Sequence, residues 1–201
     1  MGRRWAAVAF VASAAGFSAI ETSAVLAATS LLSATAAPQI QEYVESARSI
    51  KAAGDVRVIA VSIVRLTFNV GKIGRHQRQP PTLLVSEGDT PGVGTADERP
   101  WAAALDEGAV QPLGAHLVDN AAGYDAARAH ASRWRGPYMD GLSADPWGFR
   151  YGVNVGLFGG RGGQSVFVLS AGPNGLIETP FAVVGLRQGG DDVVSVIGSG
   201  R

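Results

Sequence analysis

The sequence predicts an α+β chain: a long N-terminal helix, apolar in its first half and amphipathic in its second, packed on a small antiparallel β-sheet head. Three observations predict it. From Trp5 to Ala37 the chain is apolar or small apart from one charge, Glu21. Beyond Pro38, apolar residues recur at three- and four-residue steps, as one face of a helix does. From Trp134 onward the chain becomes rich in glycine and in short apolar runs bounded by turn residues, which reads as strands joined by tight turns.

Length bears on how the apolar run is used. As one helix, the 33 residues Trp5 to Ala37 span about 50 Å, well beyond a bilayer core of ~30 Å. A chain cut after Gly16 keeps Phe17 to Ala37, 21 residues and about 32 Å, which matches the bilayer. Such a cut leaves a new α-amino group on Phe17, with Glu21 one helical turn further on. A carboxylate in an apolar span costs a few kcal/mol and asks for a function. Here it faces the positive end of the helix dipole and the new amine, in its own chain or a neighbour's.

The amphipathic half is read from Ile40, Val44, Ala47, Ile50, Val56, Ile59, Ile63 and Leu66 as its apolar face. Lys51 and Asp55, four residues apart, are placed to pair on the wet side, and Gly54 is its weak point. Asn69 to Gln79 is basic and turn-rich and reads as a solvated loop closed by Pro80-Pro81. Thr82 to Val85 predicts a short strand. Trp101 to Leu105 and Pro112 to Val118 each predict a short helix. Phe149 to Val155, Ser165 to Ser170 and Val193 to Ile197 are the strands of the second half, with Gly159 to Gly163 as a hairpin connection.

Composition excludes several functions. Lysine plus arginine equals aspartate plus glutamate at 17 each, so there is no basic excess to hold a nucleic-acid backbone. Cysteine is absent, which removes disulfides, thiolate metal sites and a cysteine nucleophile. His76, His116 and His130 lack metal-ligand spacing and read as surface or packing residues. No nucleophile elbow and no H-E-x-x-H occurs, so the chain reads as no enzyme.

Gly16-Phe17-Ser18-Ala19-Ile20-Glu21 resembles the G-F-[ST]-L-I-E processing site of type IV pilins and pseudopilins, with Ala19 in place of the usual leucine. Pro38, 22 residues after Gly16, and the segment Gln39 to Arg48 resemble the same family's helix. Asp145-Pro146-Trp147-Gly148 with Tyr151, the turn Leu169 to Gly175, and Gly190-Asp191-Asp192-Val193 resemble the head of the major (G-type) pseudopilin of type II secretion. The resemblance covers about residues 16 to 66 and 134 to 198. It implies a leader at 1–16, a membrane and assembly helix at 17–38, its amphipathic continuation at 39–70, and a periplasmic head at 71–201. A prepilin peptidase would then cut between Gly16 and Phe17, and the new N-terminus would be methylated. Glu21, with Pro38 downstream, would guide assembly with copies of the chain and other pseudopilins at an inner-membrane platform. The implied location is the bacterial inner membrane, single-pass, with the head in the periplasm.

The resemblance also implies a calcium ion in the C-terminal loop. Calcium takes six to eight oxygens. Asn174, Asp191 and Asp192 are the candidate side-chain donors, with the Leu169 carbonyl and Ser170 nearby, and Glu178 is a substitute because Asn174 stands where the family has an aspartate. Two rival readings stay open. Ala34-Thr35-Ala36 is an A-x-A site after an apolar run, and a Sec signal peptidase acting there releases a soluble periplasmic binding or adaptor domain. The other rival is a minor pilin of a type IV pilus.

Overall fold

The computed structural model describes residues 18–94, 101, 105, 109–126, 133–159, 162–185 and 187–199. The chain is α+β, with one long helix, α1 (Ala19–Val70), and a mixed sheet. It divides into two units, Met1–Tyr43 and Val44–Arg201, and α1 contributes to both.

In the first unit the helix holds itself together locally. Ser18 caps it, and Pro38 lies inside it without ending it. Its apolar side chains, among them Ile20, Leu26, Leu31 and Leu32, are exposed. Its hydroxyls bond to their own backbone: Thr22 Oγ1 to Ser18 O (3.1 Å), Thr29 Oγ1 to Val25 O (2.9 Å), Ser30 Oγ to Leu26 O (2.7 Å), and Ser23 Oγ to Ala19 O. Back-bonding of this kind satisfies a hydroxyl without water.

In the second unit α1 becomes a core element. Val56, Ile59, Ile63, Leu66 and Val70 are buried at steps of three and four residues and pack with Leu84, Leu113, Leu117, Tyr151, Val153 and Val168. Each fully buried aliphatic side chain contributes roughly 1.5–3 kcal/mol. The buried stripe begins at Ala52, later than the periodicity predicts: Ile40, Val44 and Ile50 are exposed. Periodicity marks a face, whereas burial needs something to pack on it. Lys51 Nζ does meet Asp55 Oδ2 (2.7 Å), and Asp55 also accepts from the Tyr151 hydroxyl (2.8 Å). Gly71, at φ +82°, ends the helix in a conformation that favours glycine.

Among the described residues the head holds a five-stranded sheet of β1 (Leu83–Val85), β3 (Val110–Pro112), β4 (Gly152–Val153), β5 (Ser165–Ser170) and β7 (Val193–Ser199). Their order is β3-β1-β4-β5-β7. A separate parallel pair joins β2 (Gly92–Val93) to β6 (Leu176–Ile177). The main sheet is antiparallel except at one edge, where β1 and β3 run parallel. This corrects the expectation of a purely antiparallel head. A parallel neighbour requires a crossover connection, and the long segment between β1 and β3 supplies one. It includes Trp101 and Leu105, both helical; the residues between them lie outside the described residues. The short helix predicted near Pro112 is α2 (Leu113–Leu117).

Both faces of the sheet are covered. Leu84 and Val168 face the α1 core, while Leu83, Val85, Phe167 and Leu169 face a second core with Trp101, Ala171 and Ile177. β5 is therefore buried along its whole length and shows no alternation of polar and apolar residues. The alternating run Phe149 to Val155 yields only the two-residue β4, because β1, its partner on one side, is itself three residues long. Beyond β4 the buried Asn154 replaces ladder bonds with side-chain ones, its Oδ1 accepting from Phe167 N–H (2.7 Å) and its Nδ2 donating to Ser165 O (3.1 Å).

Candidate functional site

Two sites were legible in the sequence, one in each unit. At the start of α1, Gly16 and Phe17 lie outside the described residues. Glu21 has a geometry that the charge alone did not suggest. Ser18 N–H donates to Glu21 Oε2 (2.9 Å), and Glu21 N–H donates to Ser18 Oγ (3.2 Å). This reciprocal pair is a capping box, legible as S-x-x-E, and it satisfies two of the backbone donors that a helix start leaves open. Glu21 thus performs a local task whatever else it does. The helix that follows is long and apolar enough to cross a membrane by length and composition, a property that a signal sequence near the N-terminus shares. None of its apolar window is buried among the described residues, unlike the core helix of a soluble protein.

In the second unit, Asp145 organises the Asp-Pro-Trp-Gly turn. Its Oδ1 accepts from Trp147 N–H (3.0 Å) and Phe149 N–H (2.8 Å), and its Oδ2 accepts from Ser170 Oγ (2.6 Å). The turn is fastened to α1 by the Trp147 indole N–H on Glu45 Oε2 (2.9 Å). Ser170 is therefore engaged with Asp145, and its oxygen also accepts from Gly172 N–H (3.3 Å). Leu169 is a buried member of β5, in register with Val194.

The acidic loop is drawn together by three glycines. A Cβ on Gly172 would clash with Asp191 O, one on Gly189 with Glu178 O, and one on Gly190 with the Glu178 carboxylate. At Gly172 and Gly189 the obstructing atoms are backbone, so only hydrogen there lets the turn after β5, the segment after β6 and the approach to β7 close on one another, whereas at Gly190 the obstacle is the end of the Glu178 side chain and glycine is favoured by φ +45°. Asn174 N–H donates to Asp191 Oδ2 (3.3 Å), and Asp192 Oδ2 accepts from Glu178 N–H (2.9 Å) and Thr179 N–H (2.6 Å). The Gln188 side-chain amide donates to Asp192 O.

Asp192 is fully buried, and burial pushes its carboxyl above the usual carboxylate range, against the hydrogen bonds of Thr179 and Glu178. The Glu178 carboxylate beside it acts in the same direction as burial. Among the described residues, Asp191 Oδ1 and Asp192 Oδ1 are buried with no hydrogen-bond partner. A buried carboxylate oxygen without a partner is costly and is rarely left so in a folded protein.

Two orphaned hard oxygens beside a third carboxylate suit a calcium ion. Among the described residues, however, no three His, Cys, Asp or Glu side chains are already arranged to hold a metal ion, so the donors do not yet converge. Of the residues singled out in the sequence, Asn174 meets Asp191 through its backbone N–H, and Asp192 follows Asp191 in the chain. Sequence reading did not find the link between Ser170 and Asp145, since 25 residues separate them and neither type signals the other.

His116 is buried, its Nδ1 2.7 Å from the Tyr124 hydroxyl and its Nε2 2.9 Å from Gln111 Oε1. His76 Nε2 lies 2.6 Å from Ala122 O, and His130 lies outside the described residues. No family model, curated protein or solved structure matches this chain.

Proposed function

We propose that this chain is a pseudopilin-like structural subunit, not an enzyme, that polymerises through its N-terminal helix into a periplasmic fibre for type II protein secretion. The observation that carries the reading is Glu21, the single charge of the apolar run Trp5 to Ala37, exposed in the first turn of α1 and five residues after Gly16. On this reading a prepilin peptidase cuts after Gly16, and the amine of Phe17 becomes the partner of a Glu21 carboxylate. The helix stays in the inner membrane as a single pass, with the head in the periplasm, until the assembly platform adds the subunit to its neighbours. The capping box supports it by holding the Glu21 carboxylate at the helix start, where the dipole favours negative charge. The self-bonded hydroxyls of the first unit support it as well, since they suit a medium without water.

Charge and cap can be separated. Glu21→Gln keeps an N3 side chain able to accept from Ser18 N–H but removes the charge. It is expected to leave helix content unchanged and to cut incorporation into fibres at least about tenfold, because it leaves a buried amine without its counter-charge. Incorporation equal to wild type would refute the assembly role. The mass of the mature N-terminus is the companion measurement, with a start at Phe17 expected.

A second reading has its own support. The first buried core residue of the head is Ala52, so a Sec cut after Ala36 would remove nothing on which the core depends. A mature start at Ala37 would establish this soluble periplasmic domain instead.

We also propose that the acidic loop takes calcium, with Asp191 and Asp192 offering their free oxygens and the ion ordering the approach to β7. A wild-type chain whose melting temperature rises on adding calcium chloride after chelation is the expected result.

A further inference from the structure

We infer that the buried hydrogen-bond chain centred on His116 is a proton-operated latch: it ties the basic loop 71–79 to the turn 119–124 while His116 is neutral, and releases the loop when His116 becomes charged. The direction of every bond in the chain is fixed from its two ends. At one end Ala122 O is a carbonyl and can only accept, so Gln77 Nε2 faces it (3.3 Å) and Gln77 Oε1 accepts from Gln111 Nε2 (2.8 Å). The Gln111 amide is thereby oriented, and its Oε1 accepts from His116 Nε2–H (2.9 Å). At the other end the Gly74 N–H can only donate, and it donates to the Tyr124 hydroxyl oxygen (3.3 Å). A neutral imidazole with its proton on Nε2 keeps a lone pair on Nδ1, and the Tyr124 O–H donates to it (2.7 Å).

A proton on Nδ1 does not fit this chain, because it meets the hydrogen of the Tyr124 hydroxyl. Tyr124 is buried, and among the described residues its hydroxyl has no acceptor besides His116 Nδ1; turned to receive a protonated Nδ1, it strands its own hydrogen. The charge finds no counter-ion either. β3 brings Gln111, the turn 119–124 brings Tyr124 with its ring 5.6 Å away, and the loop 71–79 brings His76, whose ring lies 4.8 Å from that of Tyr124. The following segment adds the Trp134 indole on His116 O (3.0 Å) and Tyr138, which acts on Tyr124, while α1 meets α2 in the apolar core of Leu113 and Leu117. Among the described residues no carboxylate is bonded to His116, and His76 repels a positive charge on it. Parting the loop from the turn lets water reach the imidazole and relieves both costs. The loop so released carries Lys72, Arg75 and Arg78, all exposed, and gives up the contact of His76 Nε2 with Ala122 O (2.6 Å) as well.

The test follows amide hydrogen exchange of the full chain in detergent by mass spectrometry, corrected for the intrinsic exchange rate at each pH. Burial holds His116 at about 4 against an ordinary 6.5, so the closed loop is stable above that window and loosens as pH falls through it. Segment 71–79 is expected to lose protection at least about tenfold, and up to roughly 300-fold, between pH 6.5 and pH 4, with β5 staying far better protected. His116→Gln, which does not titrate, is expected to keep the loop's protection within about threefold over the same range. If that variant does not fold, Tyr124→Phe replaces it: the tie to Gly74 is cut, so the loop is expected to be less protected already at pH 6.5 and to change less than wild type on acidification. A wild-type loop equally protected at both pH values overturns the latch. So does a His116→Gln loop that opens in acid as wild type does, or a Tyr124→Phe loop that behaves as wild type. Protection lost equally from β5 and the loop also overturns it, because the acid effect is then global unfolding.

Discussion

The two units use the same residue types to opposite ends. Leu26, Leu31 and Leu32 in the first unit are exposed, whereas Leu66, Leu83 and Leu84 in the second are buried. Each Leu seeks an apolar neighbour, and the difference is where the neighbour comes from. The second unit supplies its own, in two cores on opposite faces of one sheet. In the first unit the capping box and the back-bonded hydroxyls of Thr22 and Thr29 hold polar groups internally, while Leu26, Leu31 and Leu32 stay exposed. The head is thus stabilised by its own packing, and the helix start by its own hydrogen bonds and whatever medium surrounds it.

The largest expected effect tests that contrast. Ile63→Ala, in the α1 core, should lower head stability by about 2–5 kcal/mol through lost burial and a residual cavity. Leu31→Ala should leave head stability within about 0.5 kcal/mol of wild type, since Leu31 is exposed and belongs to the other unit. Equal losses in chemical denaturation would break the comparison.

Next comes a pH effect confined to the head. Burial, aided by His76, holds the His116 imidazole down at about 4 from an ordinary 6.5. Between these values the unfolded chain takes a proton that the folded one refuses, so stability falls as pH falls through that window; above pH 6.5 the group contributes nothing. The loss from this group is roughly 3 kcal/mol. His116→Gln, which keeps hydrogen-bonding capacity, should flatten the pH dependence of stability between pH 4 and 6.5, whatever its cost at neutral pH. A variant with an undiminished slope would assign the acid sensitivity to other groups.

The smallest effect is a gain. A side chain at Gly54 would meet nothing within 4 Å, and the residue lies inside α1. Gly54→Ala should therefore raise head stability by about 0.8–1 kcal/mol, read as a higher denaturation midpoint with an unchanged slope.

Features governed by local spacing were legible before any fold was known. The helix from the apolar run through Leu66, the Lys51–Asp55 pair, the strands Leu83–Val85 and Ser165–Ser170, and the short helix at Leu113–Leu117 all follow from period, turn residues and i,i+4 chemistry. So did the Asp145 turn, because an aspartate before Pro-Trp-Gly bonds its own neighbours. The capping box was present as Ser18-x-x-Glu21 but was eclipsed by the charge of Glu21.

What the sequence by itself determined is therefore α1, α2 and the strands β1, β4, β5 and β7, but not β2, β3 or β6, together with the unusual placing of one carboxylate in an apolar run. Only the tertiary structure decided that burial on α1 starts at Ala52, that β3 joins β1 in parallel, and that Glu178 comes to lie beside Asp191 and Asp192. The physical reason is range. Periodicity and turn chemistry act over a few residues, whereas burial, strand pairing and a shared charge site depend on which distant segments the glycines allow to meet.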